Sequence, residues 1–155
     1  MSDAPAPSQS QSDNPFELAA IVAKRVQIES VLLAKGVMKR RGDTDLMQEG
    51  VSLQFNIKRV EFVKEEERKR LLVKPTFSVT IAHGAEPRPP QDFLIRATFV
   101  LFYSVKSFEG IEDKHLDAFS MTNGIFNAWP YWREFVQNTV TRMGFSPITV
   151  PVFRF

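Results

Sequence analysis

The sequence has no cysteine, and this excludes disulfide bonds, thiolate metal sites and cysteine nucleophiles. Histidine is nearly absent, because only His83 and His115 occur and neither has the spacing of a known metal motif. No stretch reaches the ~18 apolar residues of a membrane helix, and the N-terminus lacks the features of a secretory signal. We therefore expect a cytoplasmic protein that is not an enzyme, has no cofactor or metal, and does not insert into membranes.

An excess of one charge is also missing, since 20 basic residues face 18 acidic ones and the formal net charge is +2. The basic triplet Lys39, Arg40 and Arg41 is typical of a solvated turn, because no aromatic residues interleave it to stack on bases. We expect no nucleic-acid partner, although a nucleic-acid or regulatory binding module remains the alternative from another class. Carboxylates near His115 offer a metal site as a further alternative, but acidic residues are also typical of a helix N-terminus.

What the chain does have is apolar mass, with 43% hydrophobic residues and 14 phenylalanines. That is enough for one packed core, so residues 15–155 are predicted to form a single domain. Residues 1–14 consist mainly of Ser, Ala, Pro, Gln, Asp and Asn and are predicted to be a disordered tail. Asn14 and Pro15 then favour the start of a short helix that runs to about Arg25.

Alternating apolar residues predict an antiparallel sheet of four strands. The first covers about 26–40, where Gly36 suggests a bulge or a close backbone contact. The second begins at Val51 and forms a hairpin with the third, which covers about 71–81, and a change of apolar phase predicts a bulge near Lys58. A proline-rich loop over 84–90 leads to the last strand, predicted over 93–106.

The last strand is apolar on both faces. Its odd positions from Phe93 to Val105 form one apolar face, and the other face carries Thr98, Val100 and Phe102. Helices in so short a chain can cover one face of an antiparallel sheet, so the second face is expected to meet another subunit.

Helical spacing follows Gly110 and continues to Gly144, with Pro130 predicted to kink or break it. The segment after Gly144 is too apolar to remain free in solvent and too rich in proline to pair as a central strand. It is therefore expected to lie in extended form across the surface of the domain. Aromatic residues crowd around Pro130 and form either core or the wall of an apolar peptide groove: Phe126, Trp129, Tyr131, Trp132 and Phe135.

The C-terminal part resembles a known family. The segments are Gly110-Ile-Glu112, Ile125-Phe-Asn-Ala-Trp-Pro-Tyr-Trp-Arg-Glu134, Val140-Thr-Arg142 and Phe145-Ser-Pro-Ile-Thr-Val-Pro-Val152. They are similar to the SecB family of bacterial export chaperones, and the similarity covers Phe93 to Val152. The resemblance implies an α+β fold with a four-stranded antiparallel sheet, C-terminal helices on one face and an extended hydrophobic tail.

The resemblance also implies a function. A SecB-like protein is a holdase that binds unfolded or nascent polypeptides without ATP and assembles as a homotetramer, a dimer of dimers. By position, the oligomer interface would include Thr98, Val100 and Phe102. The client groove would be lined by Val51, Leu53, Phe55, Phe126, Tyr131, Phe145 and Ile148.

Three features differ from that family. The chain is mildly basic where the family is acidic, Phe99 stands where the family has an acidic residue, and the sequence ends at Phe155 without the usual C-terminal helix. These differences weigh against the SecA motor as a partner. SecB-like chaperones of toxin–antitoxin systems share the fold and a leading helix, so a dedicated chaperone that binds an antitoxin is the alternative implied by the resemblance.

Overall fold

The computed structural model describes residues 14–89 and 92–154. The helices are α1 (Pro15–Ala23), α2 (Asp113–Phe119) and α3 (Ile125–Arg142), and the strands are β1 (Val26–Arg40), β2 (Val51–Glu65), β3 (Arg70–His83), β4 (Glu86–Pro87) and β5 (Phe93–Val105). The α+β class, the leading helix, the four long strands and the C-terminal helices were all predicted and are confirmed. The predicted tail 1–14 lies, apart from Asn14, outside the described residues, and the single-domain assignment stays a prediction.

The sheet is antiparallel, with the long strands in the order β1-β5-β3-β2 and the two-residue β4 beside β3. The predicted hairpin is confirmed by the pairing of β2 with β3. A register shift between Ile57 and Arg59 confirms the bulge expected near Lys58. Strand β1 has two further shifts, between Ile28 and Ser30 and between Leu33 and Lys35. Each bulge changes which alternate side chains face the core.

One face of the sheet is covered by helices. Residues directly opposite each other on paired strands share a face, so the register assigns each side chain to one side. The odd positions of β5 form the covered side and all of them are buried, as predicted. Below, the side of the sheet that carries Thr98, Val100 and Phe102 is called the open face. Across the described ranges, no helix is long and apolar enough to cross a membrane.

Helix α1 begins as its sequence predicts. The Asn14 side chain accepts a hydrogen bond of 3.0 Å from the Phe16 backbone N–H, and Pro15 occupies the first turn. Ala19 and Val22 are the buried positions of this helix. The helix packs against α2 and so closes one end of the core.

Pro130 was predicted to kink or break the helix, and the break is wrong, because α3 runs from Ile125 to Arg142 without interruption. Proline leaves the carbonyl of residue 126 without its helical donor, but Phe126 and Pro130 both lie on the solvent side, where water can satisfy that oxygen. The interruption lies earlier, in a π-helical turn at Ser120–Gly124 between α2 and α3. A Cβ on Gly124 would lie 2.7 Å from Val73 Cγ1, so this turn presses directly onto the sheet.

Gly144 ends α3, as predicted. Its φ of 84° is the left-handed conformation that glycine adopts readily. The Phe145 N–H donates to the Val140 carbonyl and the Gly144 N–H to the Thr141 carbonyl, which is the Schellman arrangement. The chain then continues without regular structure through residue 154, with Val150 fully buried, so the extended hydrophobic tail is confirmed.

Candidate functional site

An apolar groove lies between edge strand β1 and helix α3. Its cavity measures about 350 Å³. Three elements supply its walls and floor, and we call this site the β1–α3 groove. Its lining consists of Val31, Leu33 and Met38 from β1, Phe99 from β5, and Tyr131, Glu134, Phe135, Asn138, Thr139 and Arg142 from α3.

Gly36 allows the floor of this groove to form. The Cζ atom of Phe135 would lie only 3.1 Å from a Cβ at this position, so the ring rests almost on the β1 backbone. Phe135 is held further by an edge-on contact with Phe99 and a stacked contact with Trp132, with centroid distances of 6.4 and 6.3 Å. The close backbone contact predicted at Gly36 is therefore confirmed, and its physical reason is this ring.

The groove keeps apolar surface in contact with solvent. Leu33 is 49% exposed, Met38 54% and Tyr131 45%. Polar side chains of α3 stand at its rim, among them Glu134, which fits an apolar site with a wetted border. Among the described strands, β1 pairs only with β5, so its outer edge presents unpaired backbone groups beside the groove. An extended peptide can therefore meet both apolar side chains and free hydrogen-bonding groups here.

The groove residues predicted from sequence fall in several places. Tyr131 lines the β1–α3 groove. Phe126, at 58% exposure, lies one turn before Pro130 and does not line this groove. Val51, Leu53 and Phe55 are half-buried on β2, at the opposite edge of the sheet, where they pack against the core. The assignment of these residues as a client site stays a prediction.

The tail positions Phe145 and Ile148 are half-buried and pack against the core. The Phe145 ring lies 5.9 Å from that of Phe93, with the Arg40 guanidinium 4.4 Å above it. Arg40 also donates to the Met143 carbonyl, and Arg41 pairs with Asp92 at 3.2 Å. Arg40 therefore holds the end of β1 to the start of the tail, whereas Arg41 holds it to the residue before β5.

Further along, the tail is held by Trp129. Its indole N–H donates to the Pro151 carbonyl at 2.9 Å, and its ring lies 5.2 Å from that of Phe153. On its other side Trp129 meets Phe77 of β3 edge-on at 5.5 Å. This aromatic residue near Pro130 thus belongs to the core and fixes the tail, whereas Tyr131, two positions later, faces the groove.

Two of the groups that could perform catalysis, His115 and Tyr103, are buried and hydrogen-bonded within the fold. His83 is the exposed last residue of β3. The buried His115 accepts a hydrogen bond of 2.9 Å from the Glu112 N–H and so caps α2. Burial raises the pKa of Tyr103 to about 12, despite the hydrogen bond that Asn127 donates to its hydroxyl. Within residues 14–89 and 92–154, no three His, Cys, Asp or Glu side chains are grouped as metal ligands.

The predicted oligomer residues share the open face. Thr98, Val100 and Phe102 are half-buried there, and the register places Leu32 opposite Val100 and Leu72 opposite Phe102. Phe99, in contrast, points to the helices, is 4% exposed and forms the groove floor. The residue at this position therefore does not contribute to the charge of the open face. The oligomer assignment itself stays a prediction.

Four apolar groove residues were not predicted from the sequence: Val31, Leu33, Met38 and Phe99. The available signal was the pair Leu32-Leu33. Neighbouring side chains on a strand point to opposite faces, so two adjacent large apolar residues indicate that both faces of this strand contact apolar groups. The bulges of β1 were not predicted, because this strand has no clear apolar alternation in which a change of phase would stand out. The face of each β1 side chain could therefore not be assigned from the sequence.

No protein-family model and no curated protein sequence matches the chain. Among solved structures, the chain is similar to the SecB-like chaperone Rv1957 of Mycobacterium tuberculosis in complex with a ChAD peptide from the Rv1956 HigA1 antitoxin. The TM-score is 0.76 at 19% identity, over 90% of this chain and 99% of that one. A protein of unknown function from Streptococcus agalactiae aligns with a TM-score of 0.40 at 11% identity, over 81% of this chain and 96% of that one. The first match confirms that this chain has the SecB-like fold.

Proposed function

We propose that this protein is a cytoplasmic, ATP-independent chaperone that holds unfolded polypeptide segments in the β1–α3 groove. The supporting observation is the groove itself, where Leu33, Met38 and Tyr131 remain about half exposed beside the unpaired edge of β1. The SecB-like fold agrees with this role, because the solved chaperone that shares the fold was captured with a peptide.

The binding energy in this proposal comes from apolar burial. Covering apolar surface releases about 25 cal/mol per Å², and fully burying one large aliphatic side chain releases about 1.5–3 kcal/mol. Leu33 and Met38, each about half exposed, would then contribute about 0.7–1.5 kcal/mol apiece when a client covers them. Contacts of this kind are weak and undirected, so the protein would select exposed apolar segments, and several grooves in one oligomer would add avidity.

The test uses an unfolded client without added charge. Reduced lysozyme capped with iodoacetamide stays unfolded and gains no carboxylates. We expect it to co-elute with the protein in size-exclusion chromatography with light scattering, and we expect the protein to suppress its aggregation in the absence of ATP. Folded lysozyme is the matched control and should not co-elute. The proposal is contradicted if the protein neither co-elutes with the unfolded lysozyme nor suppresses its aggregation.

A second candidate is a dedicated chaperone of an antitoxin, favoured by the ChAD antitoxin peptide bound to Rv1957. A dedicated chaperone would prefer one peptide strongly, whereas a general holdase binds many apolar segments with similar affinity. An array of overlapping peptides from an antitoxin and from unrelated unfolded proteins separates the two. One dominant antitoxin peptide supports the dedicated role, and a broad apolar profile supports the general one. Delivery to the SecA motor would require direct binding of SecA by this protein, measured separately by size-exclusion chromatography with light scattering.

We also propose that the protein forms a homotetramer, a dimer of dimers, in which Thr98, Val100 and Phe102 form one of the subunit contacts. The support is apolar surface around these residues, since Leu32 is 54% exposed and Val63 39%. Replacing Phe102 with serine should lower the mass measured by light scattering, while circular dichroism stays that of a folded protein. An unchanged mass contradicts this interface. The rival nucleic-acid role would instead require salt-sensitive oligonucleotide binding.

A further inference from the structure

A single row of residues crosses the open face from one edge of the sheet to the other. The register pairs Lys35 with Thr98, Thr98 with Thr76, and Thr76 with Arg59. The Thr76 and Thr98 hydroxyls share a hydrogen bond of 2.8 Å. A register shift directly precedes the cation in each edge strand. Bulges of this kind bend a strand and redirect its side chains, and they are over-represented beside functional sites.

Short hydroxyl side chains in the middle and long cations at both ends leave a cavity of about 460 Å³. Its charged lining consists of Lys35, Lys58, Arg59 and Arg96, and we call it the basic pocket. Arg59 forms an ion pair with Glu61 at 3.7 Å. Within the described ranges, no acidic side chain forms an ion pair with the other three cations, so the pocket has an excess of positive charge.

A second observation indicates that the pocket is made for a ligand. The register places Arg96 opposite Ser78, which is fully buried. The Nε of Arg96 and the Oγ of Ser78 are both buried, and neither has a hydrogen-bond partner in the part of the chain that the structure describes. Buried polar groups are normally hydrogen-bonded, and no ion pair within the described residues holds the Arg96 guanidinium, so it can turn to donate to the oxygens of an anion in the cavity.

The dimensions favour more than one anionic group. Strands β1 and β2 are three strand spacings apart, so the cations at the two ends of the row are separated by about 14 Å of sheet. One carboxylate or phosphate cannot reach both ends. An extended segment with several carboxylates can, because side chains on one face of a strand repeat every two residues, or about 6.6 Å.

The surroundings favour a polypeptide over a nucleic acid. None of the residues lining the basic pocket is aromatic, so bases have nothing to stack on. The open face continues beyond Thr98 into the apolar residues Val100 and Phe102, which suit a protein partner.

We propose that the basic pocket binds an acidic polypeptide segment, with two or more carboxylates, from a partner other than the held client. The β1–α3 groove lies on the helix-covered side of the sheet, so both sites are accessible at once. A second copy of this chain suits the pocket poorly, because a symmetric contact there would oppose the same cations. Thr98 belongs both to the pocket lining and to the proposed subunit contact, but it lies about 13 Å from Phe102, at the border of a contact centred on Phe102, so that contact leaves the four cations uncovered.

The test measures fluorescence anisotropy of labelled hexaglutamate, with hexalysine as the charge-reversed control. We expect hexaglutamate to bind and hexalysine not to bind, and we expect the affinity for hexaglutamate to fall as the salt concentration is raised. Replacing Lys35 with glutamine should weaken it about 2- to 5-fold, as for an exposed ion pair, and Arg96→Gln about 10-fold or more, as for a desolvated charged hydrogen bond. Lys39→Gln is the matched control, because Lys39 lies on the same strand and face but outside the pocket. It should retain wild-type affinity.

Several results would overturn the proposal. The first is an equal loss of hexaglutamate affinity in Lys35→Gln and Lys39→Gln. The second is complete displacement of hexaglutamate by inorganic phosphate. The third is a single-stranded oligothymidylate that binds more tightly than hexaglutamate and loses this binding in Lys35→Gln. Because Lys35 is exposed, its variant tests the pocket even if Arg96→Gln does not fold. Capped lysozyme at saturation should not displace hexaglutamate, and both glutamine variants should still hold that client. The basic pocket and the proposed holdase function can therefore fail separately.

Discussion

The double replacement Leu33→Ser and Met38→Ser tests the site of client binding most directly. Both side chains lie on β1 in the β1–α3 groove and are 49% and 54% exposed, so the fold depends on them only in part. Burying the exposed half of one of these side chains under a client would contribute about 0.7–1.5 kcal/mol of binding free energy, or about 1.5–3 kcal/mol for the two together. At about 1.4 kcal/mol per factor of ten, affinity for capped, unfolded lysozyme should fall about 10- to 100-fold.

A matched control occupies the same strand. Ile28 faces the helix-covered side like Leu33 and is 42% exposed, but it lies outside the groove. Serine at this position removes a similar exposed area and should change affinity less than about twofold, because no client surface is lost. Binding is measured by calorimetry after thermal melts verify folding. Wild-type binding by the double variant, or a comparable loss of affinity in Ile28→Ser, would exclude the β1–α3 groove as the client site.

Three further predictions concern the scaffold. Gly124→Ala forces a Cβ to within 2.7 Å of the buried, stiff Val73 and should destabilise the protein by about 1–3 kcal/mol in urea unfolding. Adding Val73→Ala should recover part of this loss, whereas Gly42→Ala, with nothing within 4 Å, should be neutral. Trp129→Phe keeps the ring but removes the hydrogen bond to the tail and should cost about 1 kcal/mol, with faster proteolysis of the tail. Burial by itself would raise the pKa of Asp92, but Arg41 and Arg88 outweigh it and lower that pKa. Asp92→Asn should therefore be less stable than wild type at neutral pH. This difference in the free energy of unfolding should disappear as the pH falls below the ordinary aspartate pKa of about 3.9 and Asp92 of the wild type becomes protonated.

Features set by local chemistry were predictable from the sequence. Asn14 and Pro15 start α1 where the capping rules place them, and Gly144 ends α3 with a positive φ. The bulge at Lys58 was visible because apolar alternation on β2 is strong enough for a change of phase to stand out. These features depend on a few neighbouring residues, so one sequence contains the information.

The groove depends on tertiary contacts that one sequence does not encode locally. Tyr131 could be identified because it stands in an aromatic cluster beside Pro130. Phe99 looked like an ordinary core residue, and Phe135 was left open as either core or groove wall. Both form the groove floor because Gly36 lets the Phe135 ring rest on β1. Pro130 was expected to kink or break its helix, but the helix continues through it, because Pro130 faces solvent and water can satisfy the carbonyl that loses its helical donor.

The bulges of β1 explain how one strand serves both sides of the sheet. In a regular strand Ser30, Leu32 and Ala34 would continue the face of Ile28. The shift after Ile28 instead moves Val31 and Leu33 to the helix side and Leu32 to the open side, and the shift before Lys35 moves that lysine into the basic pocket. Apolar side chains thus reach the groove while a cation reaches the opposite face. An edge strand with one partner can absorb such shifts, since only the pairing with β5 must adjust, whereas a bulge in a central strand would disturb two ladders.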